Sequence, residues 1–175
     1  MTSQRRKPFS TVYETDRLII SELDDEDAPF MLELINSSSW IKHIGDRRIK
    51  TISKARTYIR NKYVKDYHKG IGLYCLRLKC RQVPIGTCGL IDRGTLPYFD
   101  IGFALLDKYA GYGYVLESGK HILQQSRELL LIDKVCGITT EDNQRSINTL
   151  KKLGLRRKKK IRLKEDDEEL LYFEN

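Results

Sequence analysis

Apolar and polar residues follow two rhythms along this chain, and the rhythms alone divide it into strands and helices. Leu18-Ile19-Ile20-Ser21-Glu22-Leu23 is a short apolar run behind Thr15-Asp16-Arg17, and it predicts a first strand. The acidic run 24–27 then opens a helix, because negative charge is favoured at a helix N-terminus, and Pro29 fits the first turn. Phe30, Met31, Leu34 and Ile35 supply its apolar face, and Ser37-Ser38-Ser39 ends it. Residues 40–52 show neither rhythm and are expected to be irregular. Ser53 caps a second helix with Ala55, Tyr58, Ile59, Tyr63 and Val64 on one face, closing near Gly70. Residues 72–81 and 83–92 predict two strands. In the first, Tyr74, Leu76 and Leu78 share one face. Pro84 belongs at the start of the second, since proline cannot serve a ladder from its middle.

The longest patterned stretch runs from residue 99 to residue 131. It joins an apolar strand (100–106), a glycine turn (Ala110-Gly111-Tyr112-Gly113) and a helix. In that helix Val115, Leu116, Ile122, Leu123, Leu129 and Leu130 recur at helical spacing, while Gly119 and Ser126 keep the same face narrow. Residues 134–140 form another strand. Asn143 begins a shorter helix carrying Ile147, Leu150 and Leu153, and Gly154 stands where a C-terminal glycine belongs. Residues 156–163 and 168–173 read as a strand pair joined by Glu165-Asp166-Asp167. Residues 1–14 read as a flexible basic lead-in. The middle strands predict antiparallel hairpins, and the strand–helix–strand unit at 100–140 predicts one parallel crossover. The result is a single α/β (or α+β) domain spanning residues 1–175, a mixed sheet with helices on its faces.

Bulk properties change this picture little. A chain of 175 residues supports one domain with a genuine core. A formal charge of +8 favours an anionic partner such as a phosphorylated cofactor. Cys75, Cys80, Cys88 and Cys136 form no C-x-x-C pair and have no histidines at zinc spacing, so no metal is expected. Three of them lie in strand-like runs and read as small buried hydrophobes in a reducing, cytoplasmic setting. The basic N-terminus is followed by no apolar core, and no run approaches a membrane span, so neither a signal peptide nor a membrane partner is expected.

The glycine turn carries the candidate chemistry. Glycine lets the backbone adopt positive φ and approach a ligand closely, and the helix that follows opens with unpaired N–H groups. Together these make an anion site suited to phosphate; the competing reading is a tight turn and nothing more. Leu116 stands where the third glycine of G-x-G-x-x-G would fall, and no Gly-Lys-Ser/Thr follows, so neither common nucleotide fingerprint is present.

Read together, these residues resemble the GCN5-related N-acetyltransferases, the GNAT superfamily, in the branch typified by the RimJ/RimL ribosomal-protein acetyltransferases. The opening TDRLIISEL is similar to that family's first strand. Asp100-Ile101-Gly102-Phe103, with Gly111-Tyr112-Gly113-Tyr114 and Glu117, resembles its acetyl-CoA signature loop. Asp142-Asn143, Ser146 and Leu153-Gly154-Leu155 resemble the later helix of the same site. Three positions depart from the pattern: Ala110 replaces a larger residue, Val115 a small one, and Leu150 a tyrosine proposed to protonate the leaving thiolate.

The resemblance implies a GNAT fold, a mixed and mostly antiparallel central sheet with helices on both faces. It implies acetyl-CoA between the strands at 100–106 and 134–140. Ala110, Gly111, Tyr112, Gly113, Tyr114 and Val115 would then surround the pyrophosphate. Backbone groups of Phe103, Ala104 and Leu105 would pair with the pantetheine arm and polarise the thioester carbonyl. Asn143 and Ser146, one helical turn apart, reach the same ligand or merely cap their helix. Asp100 is the candidate base, with a solvated strand-end carboxylate as the plain alternative. Glu141, His43 and Trp40 are weaker candidates near the acceptor side. The acceptor implied is a primary amine, either a protein N-terminal α-amine or a small-molecule amine. The rival is a catalytically silent acyl-CoA-binding or ribosome-associated module. The basic run 151–162 reads as a solvated face, with attraction of the cofactor's 3′-phosphate or of a ribosomal surface as the alternatives; it lacks interleaved aromatics for stacking single-stranded RNA, and no direct nucleic-acid binding is expected. A homodimer is compatible with all of this.

Overall fold

The computed structural model of the protein describes residues 11–165 and 167–175. They form one eight-stranded sheet. Its strands are β1 (Thr11–Glu14), β2 (Leu18–Ser21), β3 (Gly72–Leu78), β4 (Pro84–Ile91), β5 (Phe99–Leu105), β6 (Val135–Thr139), β7 (Arg156–Ile161) and β8 (Leu170–Glu174). The spatial order is β1-β2-β3-β4-β5-β6-β8-β7. Every neighbouring pair is antiparallel except β5–β6. The helices are α1 (Ala28–Ile35), α2 (Ser38–His43), α3 (Ile52–Lys62), α4 (Tyr114–Leu130) and α5 (Gln144–Lys152).

Strand alternation sends side chains to two cores. Tyr74 and Leu76 of β3 join Ile101, Ile122 and Leu150 in the core under α4 and α5. Cys75 of the same strand joins Met31, Leu34, Ile35, Ala55 and Ile59 in the core under α1 and α3. Helices therefore cover both faces, and burying each of the larger aliphatic side chains stabilises the fold by about 2 kcal/mol. α4 meets the sheet through Ser118, Gly119, Ile122 and Ser126. The narrow residues let it lie close, and Leu153, just past α5, fills the space over Gly119. Beneath α1, the buried Asp27 accepts from Arg77 of β3 at 2.5 Å. Burial pushes the Asp27 carboxyl up, and Arg77 opposes that push without cancelling it.

The elements differ from the sequence reading at four places. The lead-in gives way to a strand at Thr11, because Val12 and Tyr13 find apolar partners, Tyr13 standing edge-on to Tyr74 at 6.3 Å; residues 1–10 lie outside the described residues. Ser37 starts a helix as well as ending one: its Oγ accepts from the Trp40 amide and so opens α2, whose Trp40 is buried. Thr51, not Ser53, caps α3 by accepting from the Lys54 amide. At the end of α4, Leu129 is 65% exposed although it keeps the helical spacing. Its neighbour Leu130 packs against Gly70 instead, so Leu129 faces outward on this turn.

Candidate active site

The site begins where two parallel strands part. β5 and β6 pair only at Phe99 with Val135 and at Asp100 with Cys136. Beyond Asp100 they diverge, leaving a V that opens toward their C-terminal ends. In open sheets of this kind, the crevice beyond the carboxyl ends of parallel strands is where ligands bind. α4 follows β5 and α5 follows β6, so two helix N-termini flank the V.

The antiparallel ladder with β4 decides which β5 backbone groups enter that V. The Leu106 amide donates to the Ile85 carbonyl at 2.9 Å. Residues two apart share a direction, so Ala104 also turns its polar groups toward β4, where it pairs with Thr87. Phe103 and Leu105 turn theirs toward β6, which has already moved away. The stretch expected to line the cofactor arm is thereby refined. Phe103 and Leu105 offer backbone groups to the cleft, and those of Ala104 are spent in the ladder.

The glycine turn lies just past the open end. Gly111 and Gly113 both take positive φ, +89° and +80°, a region that costs other residues about 1–2 kcal/mol. This geometry delivers the chain into α4 with Gly113 as its N-cap. The Glu117 amide closes the first helical hydrogen bond onto the Gly113 carbonyl at 3.0 Å. Among the described residues, no group accepts from the amides of residues 111–116. That row of donors, at the positive end of a 17-residue helix, fits a diphosphate. Tyr112 is exposed, and Tyr114 and Val115 are half-buried.

A clamp that the sequence reading missed holds this turn. Glu117 accepts from the Thr15 hydroxyl at 2.6 Å, the Arg17 amide at 2.9 Å and Arg17 Nε at 2.6 Å. Arg17 also donates to the Tyr112 carbonyl at 2.9 Å and lies over the Tyr114 ring. Burial raises the Glu117 pKa, but the combined donors outweigh it and leave the carboxyl below its ordinary range. The first strand pair is thereby tied to the glycine turn.

Asp100 stands at the apex of the V and is 1% exposed. Arg93 Nε donates to its Oδ2 at 2.6 Å. Its Oδ1 is buried with no hydrogen-bond partner among the described residues. Burial pushes its pKa up. Arg93 pulls the other way, as does the Ile138 amide of β6, which faces the carboxylate outside hydrogen-bonding geometry; neither prevails. The alternative of a solvated strand-end carboxylate is excluded by that burial. Arg93 was invisible in the sequence, since a lone arginine in a polar turn carries no pattern.

α2 spans the mouth of the V. Ser38 Oγ donates to Asp107, just past β5, at 3.1 Å. At the other end His43 Nδ1 lies 3.2 Å from Thr140 Oγ1, just past β6, and Thr140 donates to Asp142 at 2.7 Å. Lys42 completes the group with a 2.9 Å ion pair to Asp142. Six helical residues cover about 9 Å, which sets the scale of the opening. Thr140 and Lys42 hold the Asp142 carboxyl down at about 2. Asn143 caps α5 by accepting from the Ser146 amide at 3.1 Å, so its oxygen is engaged while its amide nitrogen faces no acceptor among the described residues. Ser146 is buried beside it. Glu141 is exposed and paired with Lys160 at 2.9 Å, a surface role. Leu150 is fully buried against Gly137, inside the core and not at the cleft.

Residues 17–156 match the family model described as the acetyltransferase (GNAT) domain. No curated protein sequence matches the chain. Among solved structures, a GNAT-family acetyltransferase from Bacillus anthracis is similar, with a TM-score of 0.77 at 17% identity over 93% of this chain and 96% of that one. The microcin C7 self-immunity acetyltransferase MccE, solved with acetyl-CoA and AMP, gives 0.76 at 16% over 91% and 92%. The ribosomal L7/L12 α-N-protein acetyltransferase RimL gives 0.77 at 12% over 95% and 94%. At these identities the likeness is one of fold.

Proposed function

The chain belongs to the GNAT acetyltransferase family, enzymes that use acetyl-CoA, and on that premise we propose that it acetylates a primary amine, either a protein N-terminal α-amine or a small-molecule amine. One observation carries the reading. Two parallel strands part at a buried carboxylate, directly before a row of amides with no acceptor of their own.

Acetyl-CoA supplies an acyl carbon activated by its thioester; the remaining work falls to this chain. The amides of Gly111, Tyr112, Gly113, Tyr114 and Val115 hold the diphosphate, and the clamp through Glu117 keeps them aimed. Phe103 and Leu105 direct backbone groups along the cleft and orient the donor's amide arm. Ala110 borders the turn, and Asn143 and Ser146 border the cleft from α5. Asp100 Oδ1 takes a proton from the incoming ammonium, and Arg93 fixes the carboxylate that receives it. Its raised pKa suits the task, since a base closer to neutrality drives proton transfer better.

The acceptor's own chemistry favours an α-amine. Near pH 7.4 a lysine side chain is roughly 0.1% neutral and an α-amine roughly a quarter neutral. One carboxylate with positioning is enough for the second and a heavier demand for the first. The departing thiol has a pKa near 8.5 and leaves without a dedicated acid, which agrees with a buried leucine at position 150.

Thiol release from acetyl-CoA, measured across peptides with free N-termini, blocked lysine peptides and small polyamines, tests the proposal. Turnover with at least one amine, fastest with an α-amine, is expected. Tight acetyl-CoA binding with no turnover on any of them would overturn it in favour of a silent acyl-CoA-binding module.

A further inference from the structure

The densest charge on the molecule lies away from the cleft, on the last strand of the sheet. β7 is an edge strand paired only with β8. Arg156, Arg157, Lys158, Lys159 and Lys160 along it are all exposed. Exposed Lys151 and Lys152, at the end of α5, lead into it. We infer that this edge is a docking surface for the phosphate backbone of a duplex nucleic acid, bound without regard to base sequence.

Local pairing separates the cations that are engaged from those that are not. Lys158 reaches Glu174 at 3.7 Å, and Lys160 reaches Glu141 at 2.9 Å and Glu169 at 3.2 Å. Arg157 draws on the Glu141 carboxylate as well. Lys159 lies over the Tyr172 ring at 5.5 Å, a contact that leaves its charge without a counter-anion. Lys151, Lys152 and Arg156 form no ion pair among the described residues. Four cations are therefore open: Lys151, Lys152 and Arg156 at the α5 end of the strand, and Lys159 further along it, past the register shift.

Two features favour a duplex backbone over other anions. Unpaired bases would need rings to stack on, and Tyr172 beneath the cations is buried. The expectation of no nucleic-acid binding rested on that missing aromatic pattern, which a duplex backbone does not require. An acidic peptide added as a ninth strand meets a different obstacle. The register of β7 on β8 shifts between Arg157 and Lys159, and such a bulge spoils an edge for strand pairing. Lysines alone also guard sheet edges against association, but that task does not call for cations on the neighbouring helix.

The test is fluorescence anisotropy of a labelled 20-base-pair mixed-sequence RNA duplex with the full chain. Binding at 50 mM KCl is expected, weakening about a hundredfold by 200 mM if four phosphates are neutralised. The combined variant Lys151→Gln/Lys152→Gln/Arg156→Gln/Lys159→Gln should lose at least tenfold in affinity while keeping its Tm and its transfer to a small amine. If that variant is unstable, Arg156→Gln/Lys159→Gln should lose about half as much on the logarithmic scale. Absence of binding at 50 mM, a log–log salt slope shallower than −1, or wild-type affinity in a folded variant would each overturn the inference. So would displacement of the duplex by polyglutamate at lower charge concentration, which would make the edge an acidic-protein surface.

Discussion

The two edges of β5 have opposite fates. On one, six consecutive residues pair with β4, from Asp100 opposite Ile91 to Leu105 opposite Gly86. On the other, two residues pair with β6 before the strands separate. The burial follows suit: β4 is buried from Ile85 to Leu90, while Gly102 to Leu105 of β5 stay half-exposed. The same backbone is thus paired along one side and left open along most of the other. A ladder edge is held by sterics and hydrogen bonds along its whole length, so its substitutions should register as stability. The open edge and the turn beyond it carry amides without protein partners, so their substitutions should register as affinity or rate.

Gly86→Ala tests the closed edge and carries the largest expected effect. A Cβ there would overlap the Ala104 carbonyl oxygen and press on the Leu105 Cα, backbone that cannot swing aside. A cost of about 3 kcal/mol is expected, a fall in Tm of roughly 6–12 °C for a domain of this size. Affinity for coenzyme A, measured well below that Tm, should stay within threefold. A large affinity loss at full stability would erase the distinction between the edges.

Gly111→Asp is the counterpart at the open end. Its Cβ meets nothing within 4 Å, so only the φ of +89° resists the change. Strain of about 1–2 kcal/mol lowers Tm by a few degrees. The carboxylate, however, enters the row of amides proposed to hold phosphate, and calorimetry should show affinity for coenzyme A falling at least about a hundredfold. Heat of binding like that of the wild type would mean that the turn grips no phosphate.

How much of this arrangement the sequence exposed depends on how local each cause is. The glycine pair and the apolar run before it are neighbours in the chain, so the turn and the start of α4 were legible, as was the alternation that divides β3 between two cores. The Arg93–Asp100 pair was not, since hydrophobic rhythm says nothing about which arginine a buried carboxylate will meet. The division of Phe103 and Leu105 from Ala104 depends on register with β4, a property of two strands and not of one. α2 is six residues long, too short to show a helical period, and a serine triplet signals a helix stop as readily as a start. β1 offered only Val12 and Tyr13 against a basic background. What stayed hidden is what long-range pairing decides.

Asp100→Asn probes the apex, where the two edges meet. Arg93 is about one-third exposed and can hydrate when the carboxylate is gone, so the fold should persist. A fall in kcat of about ten- to a hundredfold is expected, with KM for acetyl-CoA within threefold. The pH profile supplies the sharper readout. Asp100 must be ionised to accept a proton, so the rate rises with pH through its pKa. Burial places that limb above the ordinary carboxylate value of 3.8. The variant should lose this limb and keep the one belonging to the amine, near 7.8 for an α-amine. An unchanged kcat with a lowered Tm would make the pair a structural anchor only.

The smallest effect is expected at the strap that crosses the open edge. Asp142 is held at about 2 against an ordinary 3.8, by the Thr140 hydroxyl first and then by Lys42. A carboxyl whose folded pKa is depressed stabilises the fold above its unfolded value and loses that contribution as pH falls through the folded one. The advantage of the wild type over Asp142→Asn should therefore be complete above pH 4 and vanish between about pH 4 and pH 2. Because the group is exposed, solvent screens it, and the Tm difference near neutrality should be about 2 °C or less. The kinetic signature should be selective. α2 ties to Asp107 at one end and to Thr140 and Asp142 at the other, and loosening one tie disturbs the side proposed for amine entry. KM for the amine should rise about two- to threefold while KM for acetyl-CoA stays constant, since among the described residues α2 makes no hydrogen bond to residues 111–115, the amides proposed to hold the donor's phosphates. An equal rise in both would show that the strap governs the cleft as a whole, and the two edges of β5 would then be coupled more tightly than their hydrogen bonds imply.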